Sequence, residues 1–344
     1  METDMSKCKW TVSALAFSMV LTAAALVFGM VAKASATAGP MAVHSATIAT
    51  GTIIPVWPNL PVPPRLRGDK IVYLLKKPFQ LGKTVFPPVR WPTLKVYPAP
   101  KNISNGCAVI SCPGGGYGSI AVHWEGTRLA KWLNGLGVSC FVLTYRLPDG
   151  KLPPSGVPWP LQDVRRAVQI LRANAKKWHI NPHKIGVAGF SAGGSVASLA
   201  GVHWLPGNPN AVDPLNRFST RPDFLILGYP VISMMPAITN VGTRNNLLGT
   251  NPPLDVAEYL SGELNVTPLT PPAFICYAHN DNVVSHQNEI LFYKALKRNK
   301  VPAELRVYKL GGHGFIQPGY KRTVKEWHLA CQHWLARMHF LSGK

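Results

Sequence analysis

Ile185-Gly186-Val187-Ala188-Gly189-Phe190-Ser191-Ala192-Gly193-Gly194-Ser195-Val196-Ala197 is the stretch on which the reading of this 344-residue chain turns. Ile185–Phe190 is apolar without polar alternation, as a strand buried on both faces should be. The small residues from Gly194 onward suit a helix packed closely on that strand. Between the two lies Gly189-Phe190-Ser191-Ala192-Gly193, a G-x-S-x-G pattern in the strand-turn-helix context that gives it meaning. So sharp a turn demands a strained backbone at the serine and small residues two places away on either side; both are glycine. The turn lifts the hydroxyl clear of the sheet, near the positive end of the helix. The pentapeptide alone is common. Its context makes Ser191 a candidate nucleophile rather than a structural turn.

The same texture continues on both sides. Ala108–Ser111, Val138–Tyr145, Phe224–Gly228 and Ala273–Ala278 are further unbroken apolar runs, and Ala303–Leu310 alternates like an edge strand. Residue spacing predicts helices over Gly126–Leu136, Leu161–Trp178, His286–Arg298 and Thr323–Leu341. In the second, Leu161, Val164, Val168, Leu171, Ala175 and Trp178 make one apolar stripe. Strand and helix in turn predict an α/β domain over residues 101–344, a mostly parallel twisted sheet with helices on both faces. Upstream, eleven prolines between Pro55 and Pro100 predict that residues 37–100 form an extended arm, with short strands at Lys70–Leu75 and Thr93–Tyr97.

Hydrophobic residues at 47% and charged ones at 15% exclude disorder for most of the chain. Six cysteines are too few for a disulfide scaffold. Cys107, Cys112, Cys140 and Cys276 lie in or beside β-like runs and read as small buried hydrophobes, without spacing for zinc or redox chemistry. Neither a metal nor a cofactor is expected. From Trp10 to Ala32 run 23 uncharged residues, preceded by Lys7 and Lys9 and followed by Ala34-Ser35-Ala36. Residues 1–36 therefore read as a signal peptide cleaved near Ala36 or Ala38, or as an anchor crossing the inner membrane over residues 10–32. Either way the remainder is expected to be exported, periplasmic or secreted. The net charge of +21, of which residues 1–36 supply only +1, bears on partners and solubility rather than on fold. No aromatic-interleaved basic motif accompanies it, so nucleic acid is not an expected partner; the charge reads as adaptation to the surroundings or as loose retention on acidic polysaccharide.

A nucleophilic serine needs oxyanion donors, a base and an orienting acid. Cys112-Pro113-Gly114-Gly115-Gly116-Tyr117-Gly118 follows the strand at Ala108, and its glycines let backbone N–H groups aim inward; Gly115, Gly116 and Ala192 are the candidate donors. A phosphate-binding loop is the competing reading, but no lysine of a nucleotide loop follows. In the expected order serine, acid, histidine, the base is His313 in Gly311-Gly312-His313-Gly314-Phe315. The acid is Asp281, in His279-Asn280-Asp281-Asn282-Val283-Val284 just past the strand Ala273–Ala278. His123 and His279 lie near but out of order; Asp255, Glu258 and Glu263 are rivals within a cap over Val231–Pro272. Tyr117, Glu125, Met234 and Met235 are candidates to line a substrate pocket, with helix capping the competing role for Glu125. Asp163 with Arg165 or Arg166 reads as a helix cap or ion pair.

With these residues in hand, the chain resembles the α/β-hydrolase superfamily, and within it the bacterial BD-FAE-like group of feruloyl and acetylxylan esterases. The resemblance runs from about Ile54 to the C-terminus, through Ile54–Pro58, Pro92–Tyr97, Cys112–Tyr117, Leu161–Ala167, Gly189–Gly194, Tyr229–Ser233 and Thr270–Pro272. It implies an α/β-hydrolase fold, a triad of Ser191, Asp281 and His313, and a small-molecule or polysaccharide ester as substrate. It departs from the pattern at Pro113 and Ser285, neither of them a reacting group. Members of the group labelled as xylanases do not extend that activity to this chain, because glycoside hydrolysis needs two carboxyl groups across the sugar. Two other readings use the same fold. A prolyl-oligopeptidase-like peptidase usually carries a propeller ahead of the hydrolase domain, and a non-catalytic binding protein generally lacks a triad member.

Overall fold

Strands with no polar face must be covered on both sides, and here five such runs form the centre of one eight-stranded sheet. The structure, a computed structural model, describes residues 48–60, 74–75, 79–81, 84–86, 89–316 and 321–341. The sheet strands are β1 (Ile53–Pro55), β2 (Thr93–Tyr97), β3 (Ala108–Cys112), β4 (Ser139–Thr144), β5 (Ile185–Phe190), β6 (Phe224–Gly228), β7 (Ala273–Ala278) and β8 (Ala303–Tyr308). Their spatial order is β1-β2-β4-β3-β5-β6-β7-β8. β1 and β2 pair antiparallel, as do β2 and β4; every other neighbour pair is parallel.

The helices are α1 (Arg128–Gly135), α2 (Trp159–Ala173), α3 (Ala192–Val202), α4 (Val241–Leu248), α5 (Leu254–Tyr259), α6 (Gln287–Arg298) and α7 (Lys321–Arg337). Alternate strand residues feed two cores. Ile110, Phe141, Leu143 and Val187 pack with Val164, Val168, Val196 and Phe292 of α2, α3 and α6. Val109, Cys140, Val142 and Ala188 pack on the other face with Leu129, Leu133, Trp327 and Trp334 of α1 and α7. Helices thus cover both faces, as the strand pattern requires.

Several limits differ from the sequence reading, each for a local reason. α2 stops at Ala173 rather than Trp178, because Asn174 turns its amide back to the Ile170 carbonyl (2.8 Å) and His179 takes a positive φ. Ala175 and Trp178 remain buried in the stripe as turn residues. The helix expected from Gly126 begins instead as a π-helical turn, Val122–Thr127, before α1. α7 ends at Arg337, and His339 beyond it has φ +60°. Residues 53–55 and 93–97, assigned to the arm, supply two strands of the main sheet, so the sheet reaches back past residue 101. Trp57 fastens that segment by donating Nε1–H to Asp163 (2.7 Å). Asp163 is an ion-pair residue as expected, but its partner is Arg146 (2.5 Å). Of the strand expected over Lys70–Leu75, Leu74–Leu75 forms a short ladder with Ser119–Ile120. Residues 1–36, with the signal or anchor reading, lie outside the described residues. Cys107, Cys112, Cys140, Cys276 and also Cys331 are buried free thiols, and burial pushes that of Cys107 up to about 12.

Candidate active site

The β5–α3 turn has the strain its pattern demands. Ser191 sits at φ +52° and ψ −125°, a conformation costly for any residue with a Cβ. A Cβ on Gly189 would come 2.7 Å from that of Ala197, and one on Gly193 would run into the Cys112 carbonyl. The two glycines therefore let α3 press on β5 and on the end of β3 paired beside it.

Ser191 Oγ lies 2.8 Å from His313 Nε2, and His313 Nδ1 lies 2.9 Å from Asp281 Oδ2. Three side chains from the ends of β5, β7 and β8 thus form one hydrogen-bonded line. Asp281 Oδ1 accepts the N–H groups of Val283 (2.9 Å) and Val284 (3.1 Å). Burial pushes the Asp281 carboxyl up, but hydrogen bonds and attraction from His313, with the Val284 and Val283 N–H groups, outweigh it and hold the group below its ordinary value. Asn280 Oδ1 accepts from Gly311 N–H (3.0 Å) and Gly312 N–H (2.9 Å), which staples the His313 loop to the Asp281 loop.

The glycine loop after β3 is oriented by its carbonyls. Gly114 O accepts from Ala121 N–H (2.9 Å), and Gly115 O accepts from Gly118 and Ser119 N–H (3.0 Å each). In a planar trans peptide the N–H points opposite the C=O, so the N–H groups of Gly115 and Gly116 are turned away from those bonds, and both residues line the cavity. Their φ values, +127° and +60°, are ones that glycine tolerates. Asn246 Nδ2–H donates to Gly116 O (2.8 Å) and anchors the loop to α4. Ala192 opens α3, where the first N–H groups have no partner within the helix.

The cavity, about 250 Å³, is lined by Gly115, Gly116, Ala121, Glu125, Ser191, Asn240, Thr243, Val283, His313 and Gly314. Of the four pocket candidates, Glu125 lies on it. Tyr117 is fully buried with its ring edge-on to Tyr145, and Met234 is buried in the core, its N–H bonded to Ser261 Oγ (2.9 Å). Met235 packs half-buried against that core and does not line the cavity. The cap contributes Asn240 and Thr243 instead. The Glu125 carboxyl accepts instead from groups outside its own helical turn, Gly114 N–H (2.5 Å) and Tyr229 O–H (2.9 Å). Asn240, Asn246, Asn280 and Tyr229 were missed from sequence. Asn280, beside the acid, carried a signal in its position; the others act across long separations that no local pattern reveals.

A sheet of this topology, with a G-x-S-x-G turn after β5 and the loops of Asp281 and His313 following in chain order, defines an α/β-hydrolase fold. The BD-FAE family model matches residues 94–296, and the chain belongs to that family. The dienelactone hydrolase family model matches residues 261–343, the part that carries Asp281 and His313. The chain is 35% identical over 220 residues to an acetylxylan esterase of Xylanibacter ruminicola, covering 63% of this chain and 42% of that protein. It is 36% identical over 226 residues to endo-1,4-beta-xylanase B of Butyrivibrio fibrisolvens, covering 65% of this chain and 34% of that one. It therefore spans less than half the length of either relative. Among solved structures, an acetyl ester-xyloside bifunctional hydrolase from Caldicellulosiruptor lactoaceticus superposes with a TM-score of 0.71 at 34% identity, covering 86% of this chain and 99% of that one. The carboxylesterase Cest-2923 of Lactobacillus plantarum shares the fold, with a TM-score of 0.59 at 24% identity over 78% of this chain and 98% of that one.

Proposed function

We propose that the protein is an exported serine esterase that removes short acyl groups, acetyl or feruloyl, from esters of xylan-type polysaccharide. The observation that carries the reading is the Ser191–His313–Asp281 line, 2.8 and 2.9 Å long, opening on a cavity. Ser191 Oγ attacks the ester carbonyl while His313 Nε2 takes its proton, and Asp281 holds the imidazole in the required tautomer and steadies the imidazolium. The tetrahedral oxyanion is received by the N–H groups of Gly115, Gly116 and Ala192. His313 then protonates the departing alcohol, and water, deprotonated by the same imidazole, releases the acyl group and restores Ser191.

The name of the Xylanibacter relative supports xylan esters as the substrate class. Cleavage of the glycosidic backbone is a different demand, since it calls for two carboxyl groups facing the sugar. Among the described residues lining the cavity the carboxyl-bearing one is Glu125, and each of its oxygens already accepts a hydrogen bond. Export rests on the apolar run from Trp10 to Ala32 and its basic flank; fractionation of cells expressing the full chain should find the protein outside the cytoplasm.

The test is a panel of p-nitrophenyl acetate, p-nitrophenyl butyrate, methyl ferulate, a proline peptide and acetylated xylan. Esters should turn over and the peptide should not. Ser191→Ala should lower kcat by about 10⁴–10⁶, as when a catalytic triad acts as a unit. Ester hydrolysis that survives this change, or a fluorophosphonate that leaves Ser191 unlabelled, overturns the reading.

A further inference from the structure

A carboxylate buried beside a reacting centre is costly unless every oxygen has a donor, and Glu125 is 3% exposed. Its donors belong to two different strand ends. Gly114 N–H, in the loop after β3, meets Oε2 at 2.5 Å; the Tyr229 hydroxyl, just past β6, meets Oε1 at 2.9 Å. The main chain of the same residue is also committed, its carbonyl accepting the Ser111 hydroxyl (2.6 Å) and its N–H donating to Ala121 O (3.2 Å). The neighbouring Gly126 leaves little slack, since a Cβ there would lie 2.6 Å from Val142 Cγ1.

Tyr229 itself has φ +37°, unusual for an aromatic residue, and its ring stands edge-on to the His313 imidazole at 5.0 Å and to Phe315 at 5.0 Å. Through this ring the Glu125 carboxyl reaches the base loop. Through Gly114 it reaches the peptides that present Gly115 and Gly116. A Cβ on Gly114 would sit 2.7 Å from that of Ser191 and 3.0 Å from Glu125 Oε2, so loop, carboxylate and nucleophile crowd one point.

We propose that Glu125 is a positioning residue of this site: its carboxylate clamps the Gly114 N–H and the Tyr229 hydroxyl together, and so fixes the oxyanion loop and the wall behind His313 in one register. The inference rests on the esterase reading and deepens it. Each carboxyl oxygen is engaged by a donor from another segment, the Gly114 N–H on Oε2 and the Tyr229 hydroxyl on Oε1, which sets the clamp apart from a bond to the first amides of the residue's own helical turn. Burial raises the carboxyl above its ordinary value, and Gly114, Tyr229 and His313 draw it only part of the way back.

Three variants test it on p-nitrophenyl acetate. Glu125→Leu keeps a similar volume and removes both acceptors; kcat should fall about 10²–10³-fold, the scale of a lost oxyanion donor, with KM within about threefold. Glu125→Gln keeps an acceptor for Gly114 and gives Tyr229 a donor to accept from, so it should stay within about tenfold of wild type. A boronic acid that adds to Ser191 should lose affinity in the Leu variant in proportion to kcat, an effect that loosening elsewhere in the fold does not produce. Where Glu125→Leu fails to fold, Tyr229→Phe, which removes one clamp partner, should show the same kcat loss in smaller measure. A kcat near wild type in Glu125→Leu overturns the inference, as do equal losses in the Gln and Leu variants, or a KM rise at constant kcat. Wild-type protein without Ser191-dependent turnover overturns the esterase reading and takes this inference with it. Wild-type turnover matched by a folded Glu125→Leu variant overturns the inference alone.

Discussion

The turn at Ser191 and the rim around it are built in opposite ways. Gly189–Gly194 owes its shape to steric contact within a few residues and against the strand beside it: glycines where a Cβ would strike backbone, an apolar strand below, a helix starting at once. The rim comprises the glycine loop and the loops of Asp281 and His313, and polar cross-ties hold it. Asn280 binds Gly311 and Gly312, Asn246 binds Gly116, and Asn240 Nδ2–H donates to Val283 O (3.0 Å). Packing contacts are stiff and intolerant of added volume, whereas hydrogen bonds between loops are directional and individually modest. Ser191 is thus held by what cannot fit, and Asp281 and His313 by what must pair.

The most severe blow falls on the rim's charge. Asp281→Asn leaves the shape but replaces the carboxylate bonded to His313 Nδ1; on the proposed triad mechanism kcat should fall by about 10³–10⁴ in an ester assay. Its stability effect has a definite sign. The Asp281 carboxyl is held below its unfolded value, so its contribution is complete above that value and is lost as pH falls through the lower, folded one. Wild-type and Asn proteins should therefore approach one another in Tm on acidification.

Gly193→Ala strikes the turn instead. A Cβ there meets the Cys112 carbonyl, which is backbone and cannot step aside cheaply. The cost should be about 3 kcal/mol or more, read as a Tm drop of roughly 6–12 °C or as loss of folded protein. A Gly193→Ala protein as stable as wild type breaks the contrast drawn above. Asn246→Ala removes one rim tie and should cost about tenfold in kcat/KM with little change in Tm, since a single hydrogen bond is worth about 1 kcal/mol.

The smallest effect sharpens the comparison from beneath the acid loop. Glu289 of α6 is buried, and burial with the nearby Asp281 charge raises its carboxyl well above the ordinary value. A raised acid costs nothing while both states are protonated, and it destabilises the fold as pH climbs above the unfolded value. Glu289→Gln should match wild type in Tm near pH 4 and gain on it toward pH 8. A gap that narrows instead would show the carboxylate to be well compensated.

Much of the fold was legible because its signal is periodic. β5, β6 and β7 have the limits their apolar runs predict, and α6 begins one residue from the expected place. What escaped were elements without periodicity: β1, three residues with a proline, and the π-helical turn at Val122 that swings Glu125 inward. The pocket was misjudged because an apolar residue in a cap segment has two places to go. Met234 went to the core, and the shorter, polar Asn240 and Thr243 were left on the cavity.

By itself the sequence determined a sheet buried on both faces, a strained serine turn, and the order in which an acid and an imidazole follow it, because periodicity and steric exclusion act within a few residues. Only the tertiary structure decided that the Glu125 carboxyl is committed to Gly114 and Tyr229 and that Asp163 answers Arg146. Those partners lie 11, 104 and 17 residues away, and a buried charge takes whichever donors the packed chain brings within reach.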